Sequence, residues 1–368
     1  MTQFCPIFIF APGVLAGAER VVLTGINALF EEGIAPKIII IKESRAPQYA
    51  DEFIKLLNPK ISCNVFVTTT PLDFSLGKKI KNSIEQESRS AVIHTHGFKA
   101  LFYSYMIFSP HPLIHTHHGN TGHTLKVRIY EHLATKLMKK CRHVIAVSEN
   151  MKNELLIILK PYNRISIVEN MLSLKNASEI RKKRNICKKN NSIIQLVFIG
   201  RLSPEKGLMP FLHYFNSFKD KNKFRLDVLG DGPELKEIKN FIASNDLKHL
   251  ITLNGFIIDP TEFLINSDLL VMPSLKEGLP MTLIEAVSVG LPVLANNVGA
   301  VSTLVKNNFN GILIDHSSEA SWHNAFSLTL DNINEWRANS IILSKDTEVK
   351  YSSEAWAKKT IKIYQKVL

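Results

Sequence analysis

The chain has 368 residues, of which 45% are hydrophobic and 21% charged, with a formal net charge of +12. That balance excludes a disordered or fibrous chain, and the length suits two domains that each bury a core. The four cysteines, Cys5, Cys63, Cys141 and Cys187, lie far apart with no CxxC pair, which argues against a disulfide framework or a zinc site and for a reducing cytoplasm.

The chain starts with an apolar run at 6–14. It lacks a basic leader and falls short of the ~20 apolar residues that span a bilayer, so it reads as a buried strand running into a loop. Further strands are predicted at 7–11, 37–41, 63–68, 91–94, 113–116 and 143–147. They are nearly continuous apolar runs, as parallel strands covered on both faces should be. Helical stretches such as 19–32 and 126–140 lie between them, and this alternation predicts a doubly wound α/β domain. Segment 173–191 is polar, basic and strand-poor, and reads as the linker and entry to the second domain. The pattern then restarts, with strands expected at 193–199, 225–229, 251–253, 269–272, 293–295 and 311–314. Two α/β sheets in tandem would bind ligands at the carboxyl ends of their strands, in a cleft between domains.

Of the net charge, +8 lies in residues 1–175, and much of the rest lies in Arg181-Lys182-Lys183-Arg184 and Lys188-Lys189. A basic excess can serve phosphorylated substrates, nucleic acid or an anionic membrane, or simply solvate a surface. Residues 126–140 place Lys126, Arg128, Lys136, Lys139 and Lys140 on a helix with apolar residues at helical spacing. That pattern suits either an anionic bilayer surface or an ordinary amphipathic helix. Nucleic-acid binding rests on charge alone, without RNP-like aromatics, zinc fingers or a basic helix-turn-helix.

Directly after the strand at 269–272 comes Glu277-Gly278-Leu279-Pro280-Met281-Thr282-Leu283-Ile284-Glu285. The glycine and proline make a loop that can turn into a helix near Thr282, with Glu285 about one turn inside it. Two carboxylates so placed can accept hydrogen bonds from several hydroxyls of one ligand, and the helix start can meet negative charge. Arg201 and Lys206 follow another strand in Gly200-Arg201-Leu202-Ser203-Pro204-Glu205-Lys206-Gly207, where a guanidinium fork and an ammonium can neutralise a diphosphate.

The spacing of Glu277 and Glu285 resembles the E-x7-E motif of retaining GT-B glycosyltransferases, in particular glycosyltransferase family four (glycosyl transferases group 1). The same order of segments continues in 200–207, 229–233, Asn254-Gly255-Phe256, 290–293 and Gly299-Ala300. The resemblance implies a GT-B fold, two Rossmann-like doubly wound parallel-sheet domains facing a central cleft. Residues 1–172 would form the acceptor-side domain, and residues 173–352 the linker and nucleotide-sugar domain. The helix at 353–368 would pack back on the first domain.

The resemblance further implies that Glu285 binds the nucleotide ribose and Glu277 a donor-sugar hydroxyl. Backbone at Gly278, Leu279 and Pro280 would line the sugar pocket, and Phe256 would stand on the base side. Gly17-Ala18-Glu19-Arg20 resembles the family's segment opening the first helix, with Ala18 in place of a second glycine, and implies that Gly17 lies close to donor or acceptor. Crowded histidines end two strands, at His94, His96, His115, His117 and His118. With no Cys or acidic residue at ligand spacing beside them, they are not read as a metal site. In the resembling family a histidine before this loop's glycine stands near the reacting centre. His118 is the best match, with His117 as fallback.

The expected activity is therefore transfer of a hexosyl or N-acetylhexosaminyl group from a nucleotide-diphosphate sugar, with UDP pointed to by family frequency. It would proceed with retention, without a metal cofactor, onto a glycan or lipid-linked glycan of cell-surface polysaccharide or lipopolysaccharide. Catalysis would fall on His118, Glu277, Arg201 and Lys206. The setting would be cytoplasmic and peripheral to the membrane, without nucleic acid. The alternative is a nucleotide-sugar 2-epimerase of similar fold.

Overall fold

The computed structural model describes residues 4–13, 17–70, 73–87, 90–107, 110–119, 125–174, 176–186, 193–315 and 317–368. Cys187, Lys188, Lys189 and Asn120, and the side chains of Lys126 and Arg128, lie outside the described residues. Met1–Ser173 and Ser352–Leu368 form one compact unit, and Leu174–Tyr351 forms a second.

The first unit runs β1 (Phe4–Phe10), α1 (Gly17–Glu31), β2 (Lys37–Glu43), α2 (Pro47–Leu56), β3 (Ser62–Thr68), α3 (Phe74–Glu85) and β4 (Ser90–His96). It continues through α4 (Phe98–Met106), β5 (Leu113–His117), α5 (Leu125–Met138), β6 (His143–Ala146), α6 (Glu149–Ile158) and β7 (Ile165–Ile167). Its seven strands lie in the order β3-β2-β1-β4-β5-β6-β7, and the described pairs are parallel. Every residue of β1 is buried, as an all-apolar strand under two helical layers requires. The edge strand β3 leaves Val65 and Val67 exposed. Strand β7 has only three residues, too few to carry a periodic signal, and sequence reading missed it.

The second unit holds α7 (Ala177–Ile186), β8 (Ile194–Ile199), α8 (Leu208–Ser217), β9 (Phe224–Leu229), α9 (Leu235–Ser244) and β10 (Ile251–Gly255). Then follow α10 (Thr261–Asn266), β11 (Leu269–Met272), α11 (Met281–Ser288), β12 (Val293–Asn296), β13 (Gly311–Ile314) and α12 (Glu319–Lys350). Its six-stranded parallel sheet has the order β10-β9-β8-β11-β12-β13. Its core is strongly aromatic, with Phe198, Phe211, Phe215, Phe224, Phe326 and Trp322 in one cluster. The last helix, α13 (Ser353–Val367), belongs to the first unit, where the Trp356 ring occupies the space a Cβ on Gly25 would take.

Within segment 173–191, α7 belongs to the second unit and is docked on it. Arg181 is buried and donates to the Ser288 carbonyl at 2.7 Å and to Glu348 Oε2 at 2.9 Å. Arg184 donates to the Leu264 carbonyl and, at 2.8 Å, to that of Ser267. A guanidinium satisfied by carbonyls at helix ends can be buried, yet it counts as polar in any hydropathy reading. Two cations of the basic run are thus used internally rather than presented to a partner.

Candidate functional site

In each sheet the strand order reverses once, between β1 and β4 and between β8 and β11. Beyond the carboxyl ends of the strands there, the two outgoing loops part and leave room for a ligand. The sequence-predicted residues divide between these two places.

In the second unit the loop after β8 is held by backbone. Gly200 N–H donates to the Leu229 carbonyl at 3.0 Å, and Leu202 N–H to that of Asp231 at 2.9 Å. Gly230 has φ +152°, and a Cβ there would lie 1.8 Å from the Gly200 carbonyl oxygen, so this approach admits glycine alone. The loop after β11 is tied to the first, with Leu275 N–H donating to the Glu205 carbonyl at 2.8 Å. Gly299, at φ +56°, backs onto it. A Cβ there would stand 2.1 Å from the Glu277 carbonyl oxygen, and Ala300 N–H donates to the Gly278 carbonyl at 2.9 Å.

These tied loops bring Lys206 and Glu277 together, Nζ to Oε1 at 2.6 Å, with side chains 27% and 10% exposed. A lysine expected to meet phosphate and a glutamate expected to meet a sugar hydroxyl therefore bond each other. Arg201 stands exposed near the start of its loop. Leu279 and Pro280 are buried behind Glu277, and α11 begins at Met281, one residue before the expected turn. Glu285, 1% exposed, sits in the second turn of α11. Phe256 is exposed just past β10, two strands from β8.

In the first unit, alternation along paired strands sorts the histidines. His94 and His96 point to one face of β4, opposite Phe8 and Phe10 of β1 in register. Thr95 pairs with His115 and faces the other way, their Oγ1 and Nδ1 3.0 Å apart. Each histidine of β4 reaches two residues beyond its register partner on β5. His94 Nε2 lies 2.7 Å from Thr116 Oγ1, and His96 Nδ1 lies 2.9 Å from His118 Nε2. The other His94 nitrogen, Nδ1, meets Tyr364 Oη of α13 at 2.6 Å. Burial keeps these rings neutral. It pushes His94 down to about 3, with the neighbouring His118 adding to the effect, and His118 to about 4, with His117 adding. Burial also holds His96 and His115 well below the usual imidazole range.

A cavity of about 670 Å³ opens at the carboxyl ends of β1, β2, β4 and β5, lined in part by His96, His117 and His118. Its wall includes Tyr49 and a charged group that sequence reading missed, in which Glu43 is shared by Lys99 and Arg45. No sequence spacing links residue 43 to residue 99; only the fold does. Gly17 opens α1 and is not crowded, for a Cβ there would meet nothing within 4 Å among the described residues. Its small size therefore serves no packing visible here. Among the described residues, no three His, Cys, Asp or Glu side chains gather as a metal site would require.

The model for glycosyl transferases group 1 matches residues 176–340, and the model for glycosyltransferase family 4 matches residues 15–175. The chain is 26% identical over 343 residues to the UDP-Gal:alpha-D-GlcNAc-diphosphoundecaprenol alpha-1,3-galactosyltransferase of Escherichia coli, covering 87% of this chain and 86% of that one. Among solved structures, HepE of Anabaena in complex with UDP and glucose superposes with a TM-score of 0.79 at 16% identity, over 98% of this chain and 99% of the other. The lipopolysaccharide outer core galactosyltransferase WaaB superposes with a TM-score of 0.72 at 15% identity, over 99% of both chains.

Proposed function

Because the chain belongs to the family 4 glycosyltransferases of GT-B fold, we propose that it moves a hexosyl or N-acetylhexosaminyl group from a UDP-sugar, with retention, to a lipid-linked glycan of the cell surface. The observation that carries this reading is the Lys206–Glu277 pair at the strand-order reversal of the second sheet. The E. coli relative, named for a UDP-galactose donor and a diphosphoundecaprenol acceptor, supports the choice of donor and acceptor class. Cell-surface polysaccharide or lipopolysaccharide is the product class we attach to such a lipid-linked acceptor.

In this reading Arg201 and Lys206 neutralise the donor diphosphate. Lys206 bonds Glu277 as well, so one ammonium couples the phosphate position to the carboxylate that holds a sugar hydroxyl. Glu285 accepts from the ribose, backbone at Gly278, Leu279 and Pro280 lines the sugar pocket, and Phe256 borders the base. His118 meets the reacting sugar from the first unit, and Gly17 lies near the substrates. The leaving charge rests on these cations and on helix N-termini, without a resident divalent metal.

The reading extends to an anionic membrane on the cytoplasmic side. No helix of the described residues is long and apolar enough to cross a bilayer, so attachment would be peripheral. Lys139, Lys140, Arg142 and Arg164 line a pocket of about 430 Å³, and no carboxylate is among its described lining residues. Lys139 Nζ donates to the Lys160 carbonyl at 3.2 Å, while Ile157, just ahead in the chain, is 68% exposed. Cations beside exposed apolar side chains suit an anionic lipid interface. Lys136, exposed on α5, adds to that charge.

The deciding experiment incubates the protein with single nucleotide sugars, with and without a polyprenyl-diphosphate glycan, and identifies products by mass spectrometry and anomeric NMR. A glycosylated acceptor with the donor's anomeric configuration is expected. Conversion of the nucleotide sugar without acceptor would instead favour the epimerase. Co-sedimentation with liposomes should rise with anionic lipid, fall with salt, and drop when Lys136, Lys139 and Lys140 become Glu. No binding at low salt removes the membrane claim alone.

A further inference from the structure

The histidines of β4 are not equivalent. His94 is closed at both nitrogens by hydroxyls, those of Tyr364 and Thr116. His96 uses one nitrogen only. Its Nδ1 meets His118 Nε2 at 2.9 Å, while its Nε2 is buried with no hydrogen-bond partner. The His96 ring lies nearly parallel to that of Phe8, with centroids 5.9 Å apart and planes 18° apart, and meets that of His118 edge to edge, at 5.2 Å and 29°. It has little freedom to turn.

Both rings are neutral, so the bond between them holds a single proton. Which ring supplies it is decided at the far nitrogens. A proton on His96 Nε2 would be a buried N–H with nothing to receive it, whereas a proton on Nδ1 is bonded. His96 therefore donates from Nδ1, and His118 accepts at Nε2. The neutral His118 ring must then carry its own proton on Nδ1, the nitrogen that His96 leaves unused. His118 lines the 670 Å³ cavity at the carboxyl ends of the strands.

We infer that His96 is a positioning residue that locks His118 in the Nδ1–H tautomer, making it a hydrogen-bond donor toward a sugar or phosphate oxygen rather than a base. The functional half of this inference rests on the reading that His118 meets the reacting sugar. The tautomer itself does not.

The test begins with the wild-type protein labelled with 15N-histidine. Long-range proton–nitrogen correlation at neutral pH should show His118 protonated at Nδ1 and bare at Nε2. His96→Phe keeps an aromatic ring against Phe8 and removes the donor. It should abolish the tautomer preference of His118 and lower kcat about tenfold or more, with KM for the nucleotide sugar within about twofold. His96→Asn, which can return an N–H to the Nδ1 position, should restore both signals in part. A wild-type His118 protonated at Nε2 overturns the inference and leaves the transferase reading standing. A scrambled tautomer in His96→Phe with unchanged kcat overturns the functional half, and with it the placement of His118 at the reacting centre. Should His96→Phe fold poorly, the wild-type spectrum and His96→Asn still decide.

Discussion

At the reversal of the second sheet, a lysine and a glutamate stand 2.6 Å apart, both partly open to solvent. Beside the reversal of the first, at the carboxyl ends of β4 and β5, two imidazoles stand 2.9 Å apart, and the His94, His96 and His115 rings are all but closed to it. The imidazole pair stands one strand further from its reversal than the ion pair does, and the chemistry is opposite. Where water reaches the loop, charge can be kept if it is paired. Where the rings are buried against Phe8, Phe10 and α13, charge would cost several kcal/mol per group, and only groups able to shed it persist. The charged end depends on backbone, since two glycines bring its loops close enough to pair. The neutral end depends on strand register, which puts each ring beside the next.

The largest expected effect separates the two units by pH. Folding lowers the pKa values of His94, His96, His115 and His118, chiefly by burial, so below about pH 6.5 the unfolded chain takes up protons that the folded unit refuses. Stability is full above that value and is lost as pH falls through it. At pH 5 the loss is about 2 kcal/mol for His94, and His96 and His115, whose pKa values burial also lowers, add to it with the same sign. Hydrogen exchange read peptide by peptide should show β4 and β5 losing protection between about pH 6.5 and 4, before β8 and β11 do. Simultaneous loss would mean that the neutral cluster is not what distinguishes the units.

Next comes the ion pair. Lys206→Ala should weaken UDP binding by up to about 3 kcal/mol, roughly a hundredfold, because it removes a charged donor and strands the nearly buried Glu277. Arg201→Ala, at an exposed site, should weaken it less, and neither should alter the fold. Unchanged affinity by calorimetry in both variants would remove the donor site from this end of the second sheet.

A smaller effect is expected at the imidazole end. His118→Ala should lower kcat roughly tenfold to a hundredfold with little change in donor affinity, since a contact made mainly in the transition state is read in kcat. If His117→Ala has this effect and His118→Ala does not, the assignment moves by one residue. The smallest expected effect is that of EDTA. Turnover should survive it, and loss restored by manganese or magnesium would show that the charged end works with a metal.

Much of this was legible before any coordinates. The strands were readable because a parallel strand under two helical layers must be apolar throughout, and the loops after β8 and β11 because their segments resemble those of the family in the same order. The docked helix α7 was not, since Arg181 and Arg184 look solvated until the carbonyls that receive them are known. Glu43 and its cations were not, since Lys99 comes from a different strand–helix unit.

By itself the sequence determined the two-sheet class, the positions of the loops after β8 and β11 and the residue types they carry, because local periodicity and turn chemistry act over a few residues. The tertiary structure alone decided which of those residues meet. Lys206 finds Glu277 across 71 positions, His96 finds His118 across 22, and His94 finds Tyr364 across 270. Such pairings follow from strand register and loop closure, and a slip of one residue in β5 would turn Thr116 away from His94 and bring His115 to that face instead.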